Sequence, residues 1–512
     1  MKKWLFIFAV FAGMTSARLA AQTNLLARIH FIGSEKIFAD SNSLAFTNLF
    51  CSAEARALEN QTLDKLARAP YRFLQKRTPS GLTDEAALLR PLLDDLTQAE
   101  WFLEARDATN GSPEFALAVR LDDNRAELWS KNLSAVLEAW TKISVEKIRD
   151  GWQVKKHEPP NLFRFVRAND WVVIGLEQGA LPLSDDWIRL ARKGKNFTRG
   201  DEDNWLSLNL NLSRLSRWIP FADQPNLPEM RLQVFPKSGD LHGYGKFIFP
   251  QPLDLRQEPW KIPTNVLHEP FVSLTALRGF QSFLQRQNCL SDYRQLLPNQ
   301  MFVWALDGIP FQTYVAAPYE NATNVIVELN RKLTNQFESE LNLGSIGGSI
   351  QLATNHAEIN WHGLPFVTPF VQAESEAAGQ FLFAGAFPNS PEGEPLPPQL
   401  FAALNQTNLV FYHWEITAQR FPQVLNLSQL ALMLSNRPQL DGKSLAAKWL
   451  FQITPKLGNN VTTVTQSSSH ELTLTRRAPA GLTAAELIAL AHWLEATNFP
   501  LGTFQLPPLP KK

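Results

Sequence analysis

Between Pro113 and Trp140 the chain alternates with one period and then with another. Phe115, Leu117, Val119 and Leu121 stand two apart with mostly small residues between them, which predicts a strand. From there Leu128, Leu133, Val136, Leu137 and Trp140 recur close to a 3.6-residue period, which predicts a helix. The helix is expected to open near Asp122 or Asp123, where a carboxylate caps free amides and faces the positive helix end. Glu100–Asp107 (EWFLEARD) predicts another strand just ahead.

A related pattern returns at Phe311–Phe337. Laid without gaps, Phe115 meets Phe311, Val119 meets Val315, Ala126 meets Ala322, Leu133 meets Leu329 and Leu137 meets Leu333. Met301–Asp307 precedes this second stretch as Glu100–Asp107 precedes the first, and both end in an Asp. An internal duplication is the expectation.

The rest of the chain supports the same plan. Strand material with a turn at Gly33 is expected over Leu25–Phe38. Helices are expected over Ser52–Gln75, broken at Pro70, and over Thr83–Leu96, where Pro91 introduces a kink. Trp152–Lys156, Leu162–Ala168 and Trp171–Leu176 read as a meander with its turn at Asn169–Asp170. A short helix around Asp185–Ala191 precedes Trp205–Leu212, whose strict alternation predicts a half-buried strand. A short helix at Ser213–Trp218 and a hairpin pairing Arg231–Phe235 with Gly243–Phe249 close the first copy. In the second copy a helix is expected at Ser273–Gln285, followed by the strand at Met301 and the strand–helix at Phe311. A meander then runs from Ser349 to Phe387. Asn408–Thr417 is a strand and Phe421–Leu434 a helix, and a hairpin joins Val461–Gln466 to Glu471–Arg476. Thr483 and Glu486 form a capping box for a closing helix.

The expected fold class is α+β: two similar copies, each a mostly antiparallel sheet with helices on one side. The expected organisation is a signal peptide (1–21), an N-terminal strand and helical segment (22–82), a first copy (83–250), a Pro-rich linker (251–272), a second copy (273–480) and a closing helix with a Pro-rich tail (481–512).

The beginning of the chain changes the picture from fold to location. Lys2 and Lys3 precede the apolar run Trp4–Met14, and small residues follow at Ala17 and at Ala20–Ala21, which predicts an export signal cleaved after Ala21. The pattern is bacterial in style, so a periplasmic or extracellular destination is expected. No later run is long enough to span a bilayer, so no integral membrane segment is expected after signal removal. Lys+Arg and Asp+Glu number 49 each among 512 residues, and this zero net charge argues against nucleic acid as a partner. Of the 15 Trp and 34 Phe, most are expected in the core, and some can serve as platforms for sugars or apolar ligands. Cys51 and Cys289 can pair in an oxidising compartment, but two separate thiols are the preferred expectation.

Strong catalytic motifs are missing: G-x-S-x-G, both Gly-rich nucleotide signatures and H-E-x-x-H do not occur. Gly344–Ser349 reads as a turn. His356, Glu358 and His362 share one parity on an extended segment, yet no fourth ligand accompanies them. His413 and Glu415 share a strand face, either as an acid–base pair or as a structural ion pair, the second being preferred. Asp94–Asp95, Asp122–Asp123 and Asp185–Asp186 sit at helix ends, where their charge already has a role. The sequons at Asn132, Asn211, Asn321 and Asn426 read as chance. No catalytic, cofactor-binding or metal residue is assigned, no cofactor is expected, and the ligand-binding residues are left open.

Glu100–Leu121 and Met301–Pro318, with their following helices, give the chain a plan that resembles uncharacterised secreted bacterial proteins carrying a duplicated large domain of unknown function. The resemblance implies export and the duplicated plan, and no functional residue. The expected function is that of an exported, non-catalytic envelope protein binding a partner protein or small-molecule ligand between its two copies. The alternative is a secreted hydrolase acting on glycans through a carboxylate such as Glu415 or Glu358.

Overall fold

The computed structural model describes residues 24–73, 84–107, 113–157, 160–177, 183–195, 197, 204–216, 226–268, 270–307, 312–340, 348–364, 367–387, 398–434 and 439–500. The segment 1–21, expected to be an export signal, and the Gly-rich residues 344–347 lie outside them. The chain divides into two compact units. The first comprises 1–250, 440–452 and 489–512, and the second 251–439 and 453–488.

Among its described residues the first unit holds ten strands: β1 (Leu25–Phe31), β2 (Trp101–Asp107), β3 (Pro113–Arg120), β4 (Glu146–Ile148), β5 (Gly151–His157), β6 (Pro160–Ala168), β7 (Trp171–Glu177), β8 (Leu206–Asn211), β9 (Glu229–Lys237) and β10 (Asp240–Ile248). They pair antiparallel in the order β4-β5-β6-β7-β3-β2-β1-β8-β9-β10. Leu25–Phe31 is therefore an inner strand between β2 and β8. It ends at Gly33, whose φ of 88° and contact with the Gln98 carbonyl leave no room for a Cβ.

Four long helices accompany this sheet: α1 (Ala53–Phe73), α2 (Asp84–Gln98), α3 (Asp123–Thr141) and α4 (Leu183–Arg192). Helix α1 runs through Pro70 without the expected break, because a proline near a helix end removes only one intrahelical hydrogen bond. Pro91 likewise stays inside α2.

The sheet is covered by helices on both faces, which corrects the expectation of helices on one side. Phe115, Leu117 and Val119 point into a core shared with Leu92 of α2 and Ala126, Trp129 and Leu137 of α3. Ala116 and Ala118, on the opposite face of the same strand, pack with Leu183, Trp187 and Ile188 of α4. Strand β3 is buried on both sides because its second face carries alanines, small enough for a helix to approach closely.

The described residues of the second unit also hold ten strands: β11 (Phe271–Arg278), β12 (Gln300–Leu306), β13 (Thr313–Tyr319), β14 (Ser349–Leu352), β15 (Glu358–His362), β16 (Phe370–Glu376), β17 (Gly379–Gly385), β18 (Leu409–Ile416), β19 (Asn459–Ser468) and β20 (Glu471–Ala478). Their antiparallel order is β14-β15-β16-β17-β13-β12-β11-β18-β19-β20. The helix expected over Ser273–Gln285 is instead strand β11 followed by one turn of helix at Gln281–Gln285. Val272, Leu274 and Ala276 are almost fully buried at alternate positions, a period that outweighs local helix propensity.

Helix α5 (Ala322–Glu340) follows β13, and α6 (Thr417–Leu434) follows β18. Helix α7 (Leu445–Ile453) has no counterpart in the sequence analysis. The closing helix α8 (Ala484–Glu495) opens on the expected capping box. The Glu486 N–H donates to Thr483 Oγ1 at 3.2 Å, and the Thr483 N–H donates to Glu486 Oε2 at 2.8 Å.

Candidate functional site

The first unit contains an apolar cavity of about 110 Å³ between its sheet and three helices. Its floor is Phe115 and Leu117 of β3, Phe163 of β6, and Ile174 and Leu176 of β7. These side chains meet because β3 pairs with β7 in a register that sets Leu117 opposite Ile174 and Phe115 opposite Leu176. Its walls are Leu66 and Pro70 of α1, Leu89, Leu92, Leu93 and Leu96 of α2, and Trp129, Leu133, Val136, Leu137 and Trp140 of α3. Every lining side chain is hydrocarbon or aromatic. Such a space excludes charge and does not hold water well, since a buried water needs two to four polar partners.

Polar bonds on the far side of the helices hold this wall in place. Asp95 of α2 is 8% exposed. It accepts from Arg125 Nε and Nη2 at 2.9 and 2.7 Å, and from Trp129 Nε1 at 2.6 Å. Asn132 Nδ2 donates to the Leu88 carbonyl at 2.8 Å. These bonds tie α2 to α3. Arg90 ties α2 to α1 through Asp64 and Asn60, each at 2.8 Å. Trp129 is thus fixed at its nitrogen while its ring lines the cavity.

A polar cleft of about 360 Å³ lies in the same unit, lined among others by Glu35, Lys36, Glu100, Arg120, Asp122 and Asp170. Glu100 accepts from Lys36 at 2.7 Å and pairs with His30 Nε2 at 3.0 Å, and the His30 ring stacks on Phe102 with centroids 4.0 Å apart. Burial pushes the Glu100 carboxyl up, but its bonds to His30 and Lys36 outweigh that and bring it down to about 2. Other cleft charges are also engaged: Arg120 binds Asp170 at 2.8 Å, and Asp122 caps α3.

The residues singled out from sequence have structural work. His413 lies between Thr275 Oγ1, 2.8 Å from its Nδ1, and Glu415, 3.3 Å from its Nε2. Glu415 is 2% exposed and also accepts from Thr417 Oγ1 at 2.9 Å and from the first amide of α8, at Ala484, at 2.8 Å. Its charge is thereby set at the positive end of a helix. Glu358 and His362 do share a strand, but His356 sits in the preceding turn with φ of 59°, and no three-residue metal-ligating group occurs among the described residues. Asp123 pairs with Arg167, and Asp185 with Arg164. Asn132 bonds within the helical wall, while Asn211 and Asn321 cap helices. Cys51 is a free thiol.

Sequence reasoning read Leu133, Val136, Leu137 and Trp140 as one helix face, which they are, but passed over Trp129. The i, i+4 spacing of Trp129 and Leu133 was the available signal.

No family model, no curated protein and no solved structure matches this chain. No helix among the described residues is long and apolar enough to cross a membrane.

Proposed function

We propose that this is an exported, non-catalytic binding protein built from two copies of one ten-stranded plan, and that its first copy takes an apolar ligand in the cavity between sheet and helices. The single observation that carries the ligand reading is the wholly apolar lining of that cavity. Left empty, a space of this size costs roughly 2–3 kcal/mol at ~24 cal/mol per Å³. A ligand that fills it recovers part of that cost.

The duplication is supported by matching topology, since both strand orders are the same once ten is added to each label. It is supported too by the helix after the third strand of each unit, 19 residues long in both. Asp122 accepts from the Arg125 amide at 2.8 Å, and Asn321 accepts from the Asn324 amide at 3.0 Å, so the two caps correspond. The caps pair Asp122 with Asn321, whereas the gapless sequence match pairs it with Pro318, one helical turn out of step.

Aligned by the caps, Trp129 and Leu133 of the first unit correspond to Glu328 and Lys332 of the second. Glu328 there forms a surface pair with Arg331 at 2.6 Å. The plan therefore accepts charge at these helix positions, where the first copy carries its apolar wall. Helices α1 and α2 lie between β1 and β2, whereas the described residues between β11 and β12 hold a five-residue helix, Gln281–Gln285, and a 3-10 segment, Asn288–Leu296. Export is supported by Lys2–Lys3 and the apolar run Trp4–Met14.

The test is native mass spectrometry of the mature protein isolated gently from its own envelope, before and after extraction with an organic solvent. A neutral mass increment that the solvent removes is the expected result. An unliganded protein that also fails to take up added apolar molecules would overturn the reading.

A further inference from the structure

We infer that the group held in the first unit's cavity is an uncharged ring, aromatic or of similar flatness, rather than a linear chain or a charged molecule. The inference rests on the reading of the cavity as a ligand site.

The second unit supplies the template. Its register sets Phe302 opposite Ala316, and Ala316 opposite Phe383, as the first unit sets Leu103 opposite Leu117, and Leu117 opposite Ile174. Both middle residues stand five positions before the corresponding caps, Asp122 and Asn321. One row along, Trp304–Tyr314–Gly385 corresponds to Ala105–Phe115–Leu176. On this surface the second unit carries rings packed on rings. Trp304 stacks on Phe383 at 5.6 Å and 10°, and Tyr314 lies 5.5 Å from Phe383. The first unit has Ala105 where the second has Trp304, and Ile174 where it has Phe383.

Size and lining agree with a ring. The cavity of about 110 Å³ is somewhat smaller than the ~150 Å³ apolar cavity that holds benzene. Phe115, Trp129, Trp140 and Phe163 give a ring edges and faces to meet. The Trp129 N–H is already taken by Asp95, so it offers a ligand no polar partner.

The experiment is thermal unfolding of the mature full-length protein titrated with toluene, indole, n-hexanol, benzoate and benzylamine, read also by Trp emission. Toluene or indole is expected to raise the midpoint saturably. Hexanol, benzoate and benzylamine are expected to bind at least about tenfold more weakly, the charged pair because nothing in the lining meets a charge. Ile174→Phe copies the second unit's residue into the cavity floor and is expected to weaken ring binding at least about tenfold by occupying the space. If it fails to fold, Leu133→Phe, at a partly exposed wall position, serves the same purpose. Hexanol or benzoate binding as tightly as toluene overturns the ring while leaving the apolar-site reading in place. Failure of all three neutral probes to bind removes both. Ring binding unchanged in a folded filling variant places the ring elsewhere and also overturns the inference.

Discussion

Replacing Asp95 with alanine removes the group that fixes the helical wall of the cavity. The carboxylate accepts from two nitrogens of Arg125 and from the Trp129 indole, with only 8% of the residue exposed. In Asp95→Ala a guanidinium and an indole N–H lose their shared acceptor. Breaking a buried ion pair from one side costs about 3–5 kcal/mol, but the Arg125 side chain is 35% exposed and recovers water, which reduces its share. The stranded indole N–H adds about 1–3 kcal/mol. A total near 3 kcal/mol is expected. Asp95→Asn, which keeps a neutral acceptor for the indole, should lose about half of that. The assay is urea unfolding of the first transition, followed by far-UV circular dichroism, with the slope checked because two units need not unfold together. The same variants should lose stabilisation by apolar probes, since α2 is no longer held against α3. An Asp95→Ala protein within about 0.5 kcal/mol of the parent would refute the reasoning.

Other consequences follow from single contacts. A Cβ at Gly385 would stand 2.5 Å from Tyr314 Cδ1, so Gly385→Ala should cost about 1–3 kcal/mol, and Tyr314→Leu in the same chain should relieve part of it; denaturant midpoints of the single and double variants decide this. Glu100 is lowered to about 2 in the folded protein, so its contribution is complete above its ordinary value near 4.5 and is lost as pH falls toward 2. After allowance for screening through the cleft that is roughly 2 kcal/mol, and Glu100→Gln should flatten the acid limb of a stability–pH curve between pH 5 and pH 2. Glu415→Ala leaves Thr417 Oγ1 and the first amide of α8 without their acceptor and removes the carboxylate 3.3 Å from His413, and should cost about 2–4 kcal/mol by urea unfolding.

Much of this fold is readable from the chain because its strands alternate and its turns use the expected residues. The β6–β7 hairpin turns at Asn169 with φ of 57°, as an Asn-Asp step between two alternating runs predicts. The Thr483–Glu486 box starts α8 for the same local reason. What was missed depends on partners distant in sequence. Strand β11 reads as helix because its Phe, Leu and Ala residues suit either state, and only pairing with β12 and β18 decides. The second helical face of the first sheet was missed because Ala116 and Ala118 look like weak strand residues until α4 packs on them. The cavity was invisible because its floor comes from β3, β6 and β7 and its wall from three helices. The proposed duplication is legible as a sequence pattern but out of step by a turn, since Asp122 and Asn321 match in what they cap and not in type.

The most direct test of the central claim is a crystal structure of the protein soaked with iodobenzene, using the anomalous signal of iodine to locate the ring. The account predicts one dominant site enclosed by Leu117, Ile174, Trp129 and Leu137. A crystal whose cavity stays without iodine while the ring binds elsewhere, or nowhere, would contradict it.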